Sequence, residues 1–149
     1  MKTSIKLELA CGKYPNSEAV NLDIVQMEGV DVIHDLEVYP YPFENETFEH
    51  IQATDIVEHI TDIFKMFAEL HRILKPEGII KIHTNYAGHI SAFTDPQHKH
   101  FFTLESFDYF DPETFMGREF YFYTTVKFKI LEKKVDESGR GLFFALQKI

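Results

Sequence analysis

The chain has 149 residues and a formal net charge of -9, a length that predicts one domain, residues 1–149, able to bury a hydrophobic core. The negative charge argues against nucleic acid as a partner, because Lys and Arg supply most of the affinity for a phosphate backbone. A single cysteine excludes an intramolecular disulfide framework, and no apolar run reaches the length of a membrane span, so we expect a cytoplasmic protein without a membrane partner.

Three short apolar segments open the chain, and each ends in a residue suited to a ligand. Residues 5–11 and 19–25 have the length and apolar character of buried parallel strands, and a shorter third segment ends at Asp35. Gly12, after the first segment, allows a backbone to approach a ligand closely. Asp23, in the second, can accept hydrogen bonds from both ribose hydroxyls, and a further carboxylate can accept one from an adenine amine. The three ends predict a pocket for an adenosine-containing cofactor.

A fourth strand and a helix follow in the middle of the chain. Residues 50–55 read as a strand, and residues 62–74 as an amphipathic helix, because apolar side chains recur there at helical spacing. Thr61 or Asp62 can cap the start of this helix. The Pro-Glu-Gly segment after residue 75 predicts its end.

The last third predicts a strand, a long loop and a hairpin. The strand covers residues 79–84, and the loop covers residues 86–103, a length that is often functional in compact domains. Thr103 is a candidate cap for a short helix that runs through Phe110. Residues 121–135 and 141–149 then read as two antiparallel strands joined by a tight turn.

The connections between the first strands are unusually short. Only eight residues, Gly12 to Ala19, join the first strand to the second, whereas a parallel crossover usually needs a dozen or more, often helical. Strands that alternate with connections and end in a hairpin predict an α/β sheet with a mixed edge. In this sheet the first two helices are expected to be shortened or absent.

The order of these segments resembles the class I S-adenosylmethionine-dependent methyltransferases, especially the small methyltransferase type 11 group. The likeness continues in residues 43–51, in Val-Glu-His-Ile at 57–60, and in residues 69–78, where Leu-Lys-Pro-Glu-Gly replaces the family's Leu-Lys-Pro-Gly-Gly. It covers roughly residues 5–110. The resemblance implies a reduced Rossmann-like methyltransferase sheet, mostly parallel with a C-terminal antiparallel hairpin, and S-adenosylmethionine as the cofactor.

The resemblance also implies which residues bind the cofactor. The first family motif, Glu/Asp-x-Gly-x-Gly-x-Gly, reads Glu-Leu-Ala-Cys-Gly-Lys-Tyr at residues 8–14, so only its middle glycine is present. Asp23 would bind the ribose hydroxyls, and Asp35 would meet the adenine amine while Leu36 packs on the ring. The complete implied set is Glu8, Ala10, Gly12, Asp23, Ile24, Asp35, Leu36 and Thr54.

The candidate catalytic residues come from two places in the chain. Asp95 stands three residues before His98 in the long loop, a spacing at which an aspartate can orient an imidazole as a general base. Such a base is needed only when the acceptor is a hydroxyl or an amine that must lose a proton. Asp55, at the end of the fourth strand, and His59, after it, lie where the family's methyl group and acceptor meet. The predicted catalytic set is therefore His98, Asp95, Asp55 and His59.

Two other functions compete with methyl transfer to a small-molecule or glycan-type acceptor. The missing glycines and helices also suit a degenerate methyltransferase fold that acts as a non-catalytic binding module. Several histidines near one loop suit a metal-dependent hydrolase, but no His-x-x-x-His pair or Cys-His set is present, and we predict no metal ligands. The aromatic-rich last third predicts an exposed apolar patch, for which we expect a homodimer.

Overall fold

The computed structural model describes residues 5–149, which form one seven-stranded sheet and two α-helices. The strands are β1 (Lys6–Leu9), β2 (Val20–Asp23), β3 (Val32–Ile33), β4 (Phe48–Thr54), β5 (Leu74–Asn85), β6 (Phe128–Val135) and β7 (Gly141–Lys148). The helices are α1 (Ile63–Ile73) and α2 (Phe115–Glu119). Short 3-10 turns lie at Val57–His59, Ile90–Phe93, Asp108–Phe110 and Tyr121–Tyr123.

The sheet has the topology that the sequence predicts. Its strand order is β3-β2-β1-β4-β5-β7-β6, in which β1 to β5 pair in parallel and β7 pairs antiparallel with both β5 and β6. Neither the β1–β2 connection nor the β2–β3 connection contains a helix, which confirms the predicted loss of the first helices. The order changes direction between β1 and β4, and ligands bind at such a switch point outside the carboxyl ends of the strands.

One face of the sheet carries the hydrophobic core. Leu9 of β1, Ala53 of β4, Ile82 of β5 and Phe144 of β7 stand side by side in register, and all are fully buried. Helix α1 covers this face with four fully buried side chains: Met66, Phe67, Leu70 and Ile73. The core is therefore a single layer between the sheet on one side and α1 with residues 101–123, here called the aromatic segment, on the other.

The opposite face of the central strands is polar. Glu8 of β1, Gln52 of β4 and Lys81 of β5 are in register there, and they line a cavity of about 330 Å³ together with Asn16 and His50. The prediction of buried strands is thus correct for one face only. Because no helix covers the second face, β1 and β4 alternate between buried and accessible residues, a pattern more usual in antiparallel sheets.

Helix α1 has the boundaries that its sequence predicts. Asp62 is the residue that caps it, because its carboxylate accepts a hydrogen bond from the Lys65 amide at 2.9 Å. The helix ends at Ile73, and the chain passes directly into β5 at Leu74. No helix in residues 5–149 has the length and apolar character needed to cross a membrane.

The segment between β5 and β6 differs from the prediction. The short helix expected up to Phe110 is only a 3-10 turn, and α2, which Thr114 caps, was not predicted. The strand expected over residues 121–135 begins at Phe128, opposite Lys148, the last residue of β7. Residues 121–127 therefore have no neighbouring strand to pair with, although their composition favours β-structure.

The aromatic residues of the last third divide between core and surface. Four of them, Phe107, Phe110, Phe128 and Phe144, are fully buried around α1 and β7. Five others are exposed: Phe101, Phe115, Tyr121, Phe122 and Tyr123. The last three pack ring against ring and form an exposed aromatic patch, as predicted, while the homodimer expected from it stays a prediction.

Candidate active site

The turn after β1 keeps a glycine-type backbone although only one glycine is present. Ala10 has φ +51° and Gly12 has φ +55°, both in the left-handed region that favours glycine. The Gly12 amide donates a hydrogen bond to Asp23 Oδ2 at 2.8 Å, and the Val25 amide donates one to Asp23 Oδ1 at 3.0 Å. These bonds fix the carboxylate at the end of β2, and each oxygen keeps a lone pair for a ligand.

A cavity of about 330 Å³ opens at the carboxyl ends of β1, β2 and β3, a size within the range of small-molecule sites. Five of the residues implied by the family resemblance line it: Ala10, Asp23, Ile24, Asp35 and Leu36. Asp35 Oδ1 accepts the Glu37 amide at 2.9 Å, while Leu36 is buried and Asp23 is only 7% exposed. The structure therefore brings the two strand-end carboxylates together in one cavity.

Three implied cofactor residues do not line this cavity. Gly12 lies behind it and contributes its amide to Asp23. Glu8 and Thr54 project from β1 and β4 toward the polar face of the sheet, where Glu8 lines the second cavity and Thr54 accepts a hydrogen bond from Gln52. Burial raises the pKa of the Glu8 carboxyl, and its hydrogen bond to Asn16 only partly offsets this rise. Because side chains alternate along a strand, these two residues face away from Leu9 and Ala53.

The cavity also has lining residues outside the predicted cofactor-binding and catalytic sets. Glu37 adds a third carboxylate beyond Asp35, and Gln97 and Lys99 reach the cavity from the long loop after β5. Lys99 Nζ lies 3.4 Å from Glu37 Oε1. This ion pair joins the loop to the segment after β3, so the loop forms one wall of the cavity. No local pattern in the sequence identifies a contact between residues 62 positions apart.

His98 is held in one orientation by the backbone of its own loop. Its Nδ1 lies 2.7 Å from the Ala92 carbonyl oxygen, so Nδ1 carries the proton and the neutral ring keeps its lone pair on Nε2. Asp95 Oδ2 is 3.7 Å from that same Nε2, which is too long for a hydrogen bond. The predicted orienting role of Asp95 is therefore filled by the Ala92 carbonyl, and Asp95 contributes negative charge beside the free nitrogen.

His59 lies against His98, and Glu58 lies beside both. The rings of His59 and His98 meet edge to face with centroids 4.9 Å apart, and His59 also lines the cavity. Helical geometry predicts that the neighbouring side chains of Glu58 and His59 point apart. The segment is a 3-10 turn, in which neighbours are about 120° apart, yet ligand atoms of Glu58, His59 and His98 lie within 4.8 Å of one another. Glu58 belongs to the Val-Glu-His-Ile segment at 57–60 but is not among the predicted catalytic residues.

Asp55, the fourth predicted catalytic residue, belongs to a different cluster. Its Oδ1 lies 3.3 Å from His83 Nδ1, and Asp136 Oδ2 lies 2.9 Å from His83 Nε2. Both ring nitrogens therefore face carboxylates, which favours the doubly protonated ring. Burial lowers the pKa of His83, but the hydrogen bonds to Asp136 and Asp55 outweigh it and raise the pKa above its ordinary value. A hydrogen bond from the Ser138 hydroxyl holds the pKa of Asp136 well below its ordinary value, and the hydrogen bond from His83 is the second cause of this shift.

The Asp55–His83–Asp136 cluster makes stability depend on pH at both ends of a window. The contribution of His83 is present below its unfolded pKa, about 6.5, and is lost as the pH rises through its higher folded pKa. The contribution of Asp136 is present above its unfolded pKa, about 3.9, and is lost as the pH falls toward its lower folded pKa.

Thermal unfolding should therefore show a smaller pH dependence above pH 6.5 in His83→Gln than in the parent. His50→Gln, at an exposed histidine of the polar face, is the control, and an unchanged profile in His83→Gln would contradict the assignment.

Comparison with known proteins identifies the family. The family model of the methyltransferase domain, type 11, matches residues 7–82, slightly more than half of the chain, from β1 into β5. The chain belongs to the methyltransferase domain family. No curated protein matches its sequence significantly. The matched region of the methyltransferase domain contains the strand ends that form the cavity, whereas His98 and its loop lie beyond it.

Solved structures share the fold of this methyltransferase domain at low sequence identity. An S-adenosylmethionine-dependent methyltransferase from Archaeoglobus fulgidus is 16% identical with a TM-score of 0.63, and the match covers 96% of this chain and 85% of that protein's chain. One from Mesorhizobium loti is 12% identical with a TM-score of 0.64, covering 96% and 90%. The cyclase SpnF is 12% identical with a TM-score of 0.64, covering 96% and 73%. The same fold thus supports more than one chemistry, and the function is argued from the site.

Proposed function

We propose that this methyltransferase domain binds S-adenosylmethionine in the cavity at the ends of β1, β2 and β3 and transfers its methyl group to a small-molecule or glycan-type acceptor. The observation that supports this most directly is the pair of carboxylates, Asp23 and Asp35, at the ends of neighbouring strands in one cavity. Asp23 would accept from the ribose hydroxyls, as acidic residues do in dinucleotide-binding sheets. Asp35 would accept from the adenine amine through Oδ2, since Oδ1 already accepts the Glu37 amide.

The charge of the cavity suits a cationic cofactor. Asp23, Asp35 and Glu37 all line it, and the nearest lysine there, Lys99, is paired with Glu37. Carboxylates within several ångströms of a sulfonium stabilise it by Coulomb attraction. When bound, S-adenosylmethionine supplies a methyl group that its sulfonium activates. On transfer the sulfur leaves as a neutral thioether, which needs no proton. The protein therefore has to align the acceptor and receive the acceptor's proton.

His98 is the residue best placed to receive that proton. Its Nδ1 proton is committed to the Ala92 carbonyl, so Nε2 is the free acceptor, and the ring packs on His59, which lines the cavity. His98 is nearly buried, with 6% of its side chain exposed, which limits competition from water. The same loop carries the stacked rings of Phe93 and Phe101, which would supply apolar walls to an acceptor.

Cofactor binding tests the proposal directly. Calorimetry should show binding of S-adenosylmethionine or its demethylated product with micromolar affinity, on the order of -8 kcal/mol. Asp23→Ala should weaken this binding by at least about 1.5 kcal/mol, because a charge-assisted pair of hydrogen bonds to the ribose is lost. The measurement is a titration of the parent and the variant under the same conditions.

Two further variants separate cofactor contact from charge and from folding. Glu105→Ala removes one negative charge from an exposed position outside the cavity and should leave the affinity unchanged. Asp23→Asn keeps the side-chain volume and one acceptor oxygen beside the Gly12 and Val25 amides, so it reports the effect of charge in a better preserved turn. Absence of binding at millimolar ligand, in parent protein shown to be folded, would refute the cofactor assignment.

A further inference from the structure

Three metal-ligating side chains converge beside the proposed cofactor cavity. Within residues 5–149, ligand atoms of Glu58, His59 and His98 all lie within 4.8 Å of one another. The amide of Lys99 donates to the Glu58 carbonyl oxygen at 2.7 Å, so the two segments that carry these residues are joined backbone to backbone. Two nitrogens bound to one tetrahedral zinc ion at 2.0–2.1 Å lie about 3.3 Å apart. If each of the three side chains moves by less than about 1 Å, the set closes on one ion.

Two of these side chains are held in place as metal ligands usually are. Glu58 is 1% exposed, and its oxygens accept from the Thr84 hydroxyl at 2.9 Å and from the side-chain amide of Asn85 at 3.0 Å. His98 gives its Nδ1 proton to the Ala92 carbonyl, which leaves the lone pair of Nε2 available to a metal ion. A metal-ligating histidine typically donates its other ring N–H to a carbonyl or carboxylate, and ligating carboxylates are themselves hydrogen-bonded.

His59 completes the group and connects it to the cavity. Among the described residues, neither of its ring nitrogens has a hydrogen-bond partner, and its main contact is the edge-to-face packing on His98. The same side chain lines the cavity at the strand ends. An ion bound here would therefore lie at the border between the cofactor cavity and the long loop.

We propose that Glu58, His59 and His98 bind one divalent transition-metal ion and that its remaining coordination positions take an oxygen of the acceptor. Two imidazoles and a carboxylate are the protein ligands of one class of catalytic zinc site, which keeps an open position for water or substrate. The set was not expected from sequence, because its members are not spaced as a pair on one helix.

The role of the ion rests on the proposed methyl transfer and narrows the acceptor to compounds with a coordinating hydroxyl. A hydroxyl bound to the ion loses its proton to solvent more readily. The oxygen then forms a bond to the methyl carbon while the carbon–sulfur bond breaks and its electron pair stays on sulfur. In this mode His98 is a ligand and the ion activates the acceptor, so turnover is lost on chelation. If His98 itself takes the proton, turnover resists chelation.

Metal binding can be measured without turnover. Untagged protein is dialysed against chelator, reloaded with Zn²⁺ or Co²⁺, and assayed by elemental analysis and by the visible absorption of bound Co²⁺. We expect one ion per chain. His98→Ala and His59→Ala should each lower the affinity at least about tenfold, and Thr84→Val, which removes only the hydroxyl that positions Glu58, by roughly 10–100-fold. His50→Ala, at an exposed histidine outside the group, should bind as the parent does.

The outcomes separate this proposal from the proposed function. Substoichiometric metal in folded parent protein, or equal affinity in the parent, His59→Ala and His98→Ala, would overturn the metal site even if S-adenosylmethionine binds. Stoichiometric metal in a protein that binds no S-adenosylmethionine would keep the metal site and refute the methyltransferase role. Binding of both, with turnover that chelator abolishes and added Zn²⁺ restores, is the result we expect.

Discussion

Replacing His98 with alanine is expected to lower the rate of methyl transfer by roughly 10²–10⁴-fold, the usual range for loss of a general base. With the proposed ion bound, the same change removes one of its ligands and so also lowers turnover. Its Nε2 is the nitrogen left free by the bond from Nδ1 to Ala92. The His98 side chain does not line the cavity that contains Asp23 and Asp35, whereas His59, on which it packs, does. Affinity for S-adenosylmethionine should therefore stay within about threefold of the parent, a change of less than ~1 kcal/mol. Turnover and calorimetric titration of the same preparation check both parts.

Companion variants locate the source of the effect. Asp95→Asn should cost less than His98→Ala, because Asp95 is 3.7 Å from the ring and makes no hydrogen bond to it. His50→Ala, on the polar face of the sheet, should be neutral. If His98→Ala leaves turnover intact, the acceptor is activated elsewhere, and His59 is the next residue to test. If it abolishes cofactor binding as well, the long loop is a structural lid and the catalytic assignment is wrong.

The largest expected effect on stability comes from Phe67 of α1. Its side chain is fully buried, with ring centroids 4.6 Å from Phe110, 5.4 Å from Phe107 and 5.8 Å from Phe128. It therefore joins the only long helix among the described residues to the aromatic segment and to β6. Phe67→Ala removes apolar area and leaves a cavity that rigid neighbours cannot fill, which typically costs about 3–5 kcal/mol. Urea unfolding of the variant should show a loss of this size.

An exposed phenylalanine provides the matched control for that measurement. Phe122 is 68% exposed, and Phe122→Ala is expected to change the free energy of unfolding by about 0.5 kcal/mol or less. A loss below about 1.5 kcal/mol in Phe67→Ala would mean that the site collapses around the cavity. The aromatic cluster would then be looser than its ring distances indicate.

The local features of this chain could be predicted because they depend on neighbouring residues. Helix α1 follows from apolar side chains at helical spacing and from Asp62 at its start. The hairpin of β6 and β7 follows from two strand-like segments on either side of a turn. Asp23 and Asp35 could be selected because parallel strands bring their carboxyl ends to one edge of a sheet, which places acidic residues after neighbouring strands together.

Other features depend on long-range contacts that no local pattern specifies. The strand segment before Phe128 does not form: Tyr121–Tyr123 is a 3-10 turn, and β6 begins only at Phe128, opposite Lys148 of β7. Glu8 and Thr54 lie outside the proposed cofactor cavity because α1 packs on the face of Leu9 and Ala53, and alternation along β1 and β4 places these two residues on the opposite, polar face. Asp55 and Asp136 both contact His83, although they are 81 positions apart in the sequence. The pairing of β5 with β7 brings Asp136 to His83.

The convergence of Glu58, His59 and His98 is the clearest case of a site that tertiary structure decides. Local geometry predicts that the first two side chains diverge, and nothing in the intervening residues links them to the third. The backbone bonds from Lys99 and His100 to the Glu58 carbonyl bring the loop back onto the turn after β4. The chemistry of each residue can be read from the sequence, whereas the distance between them is set by how the loop packs on the sheet.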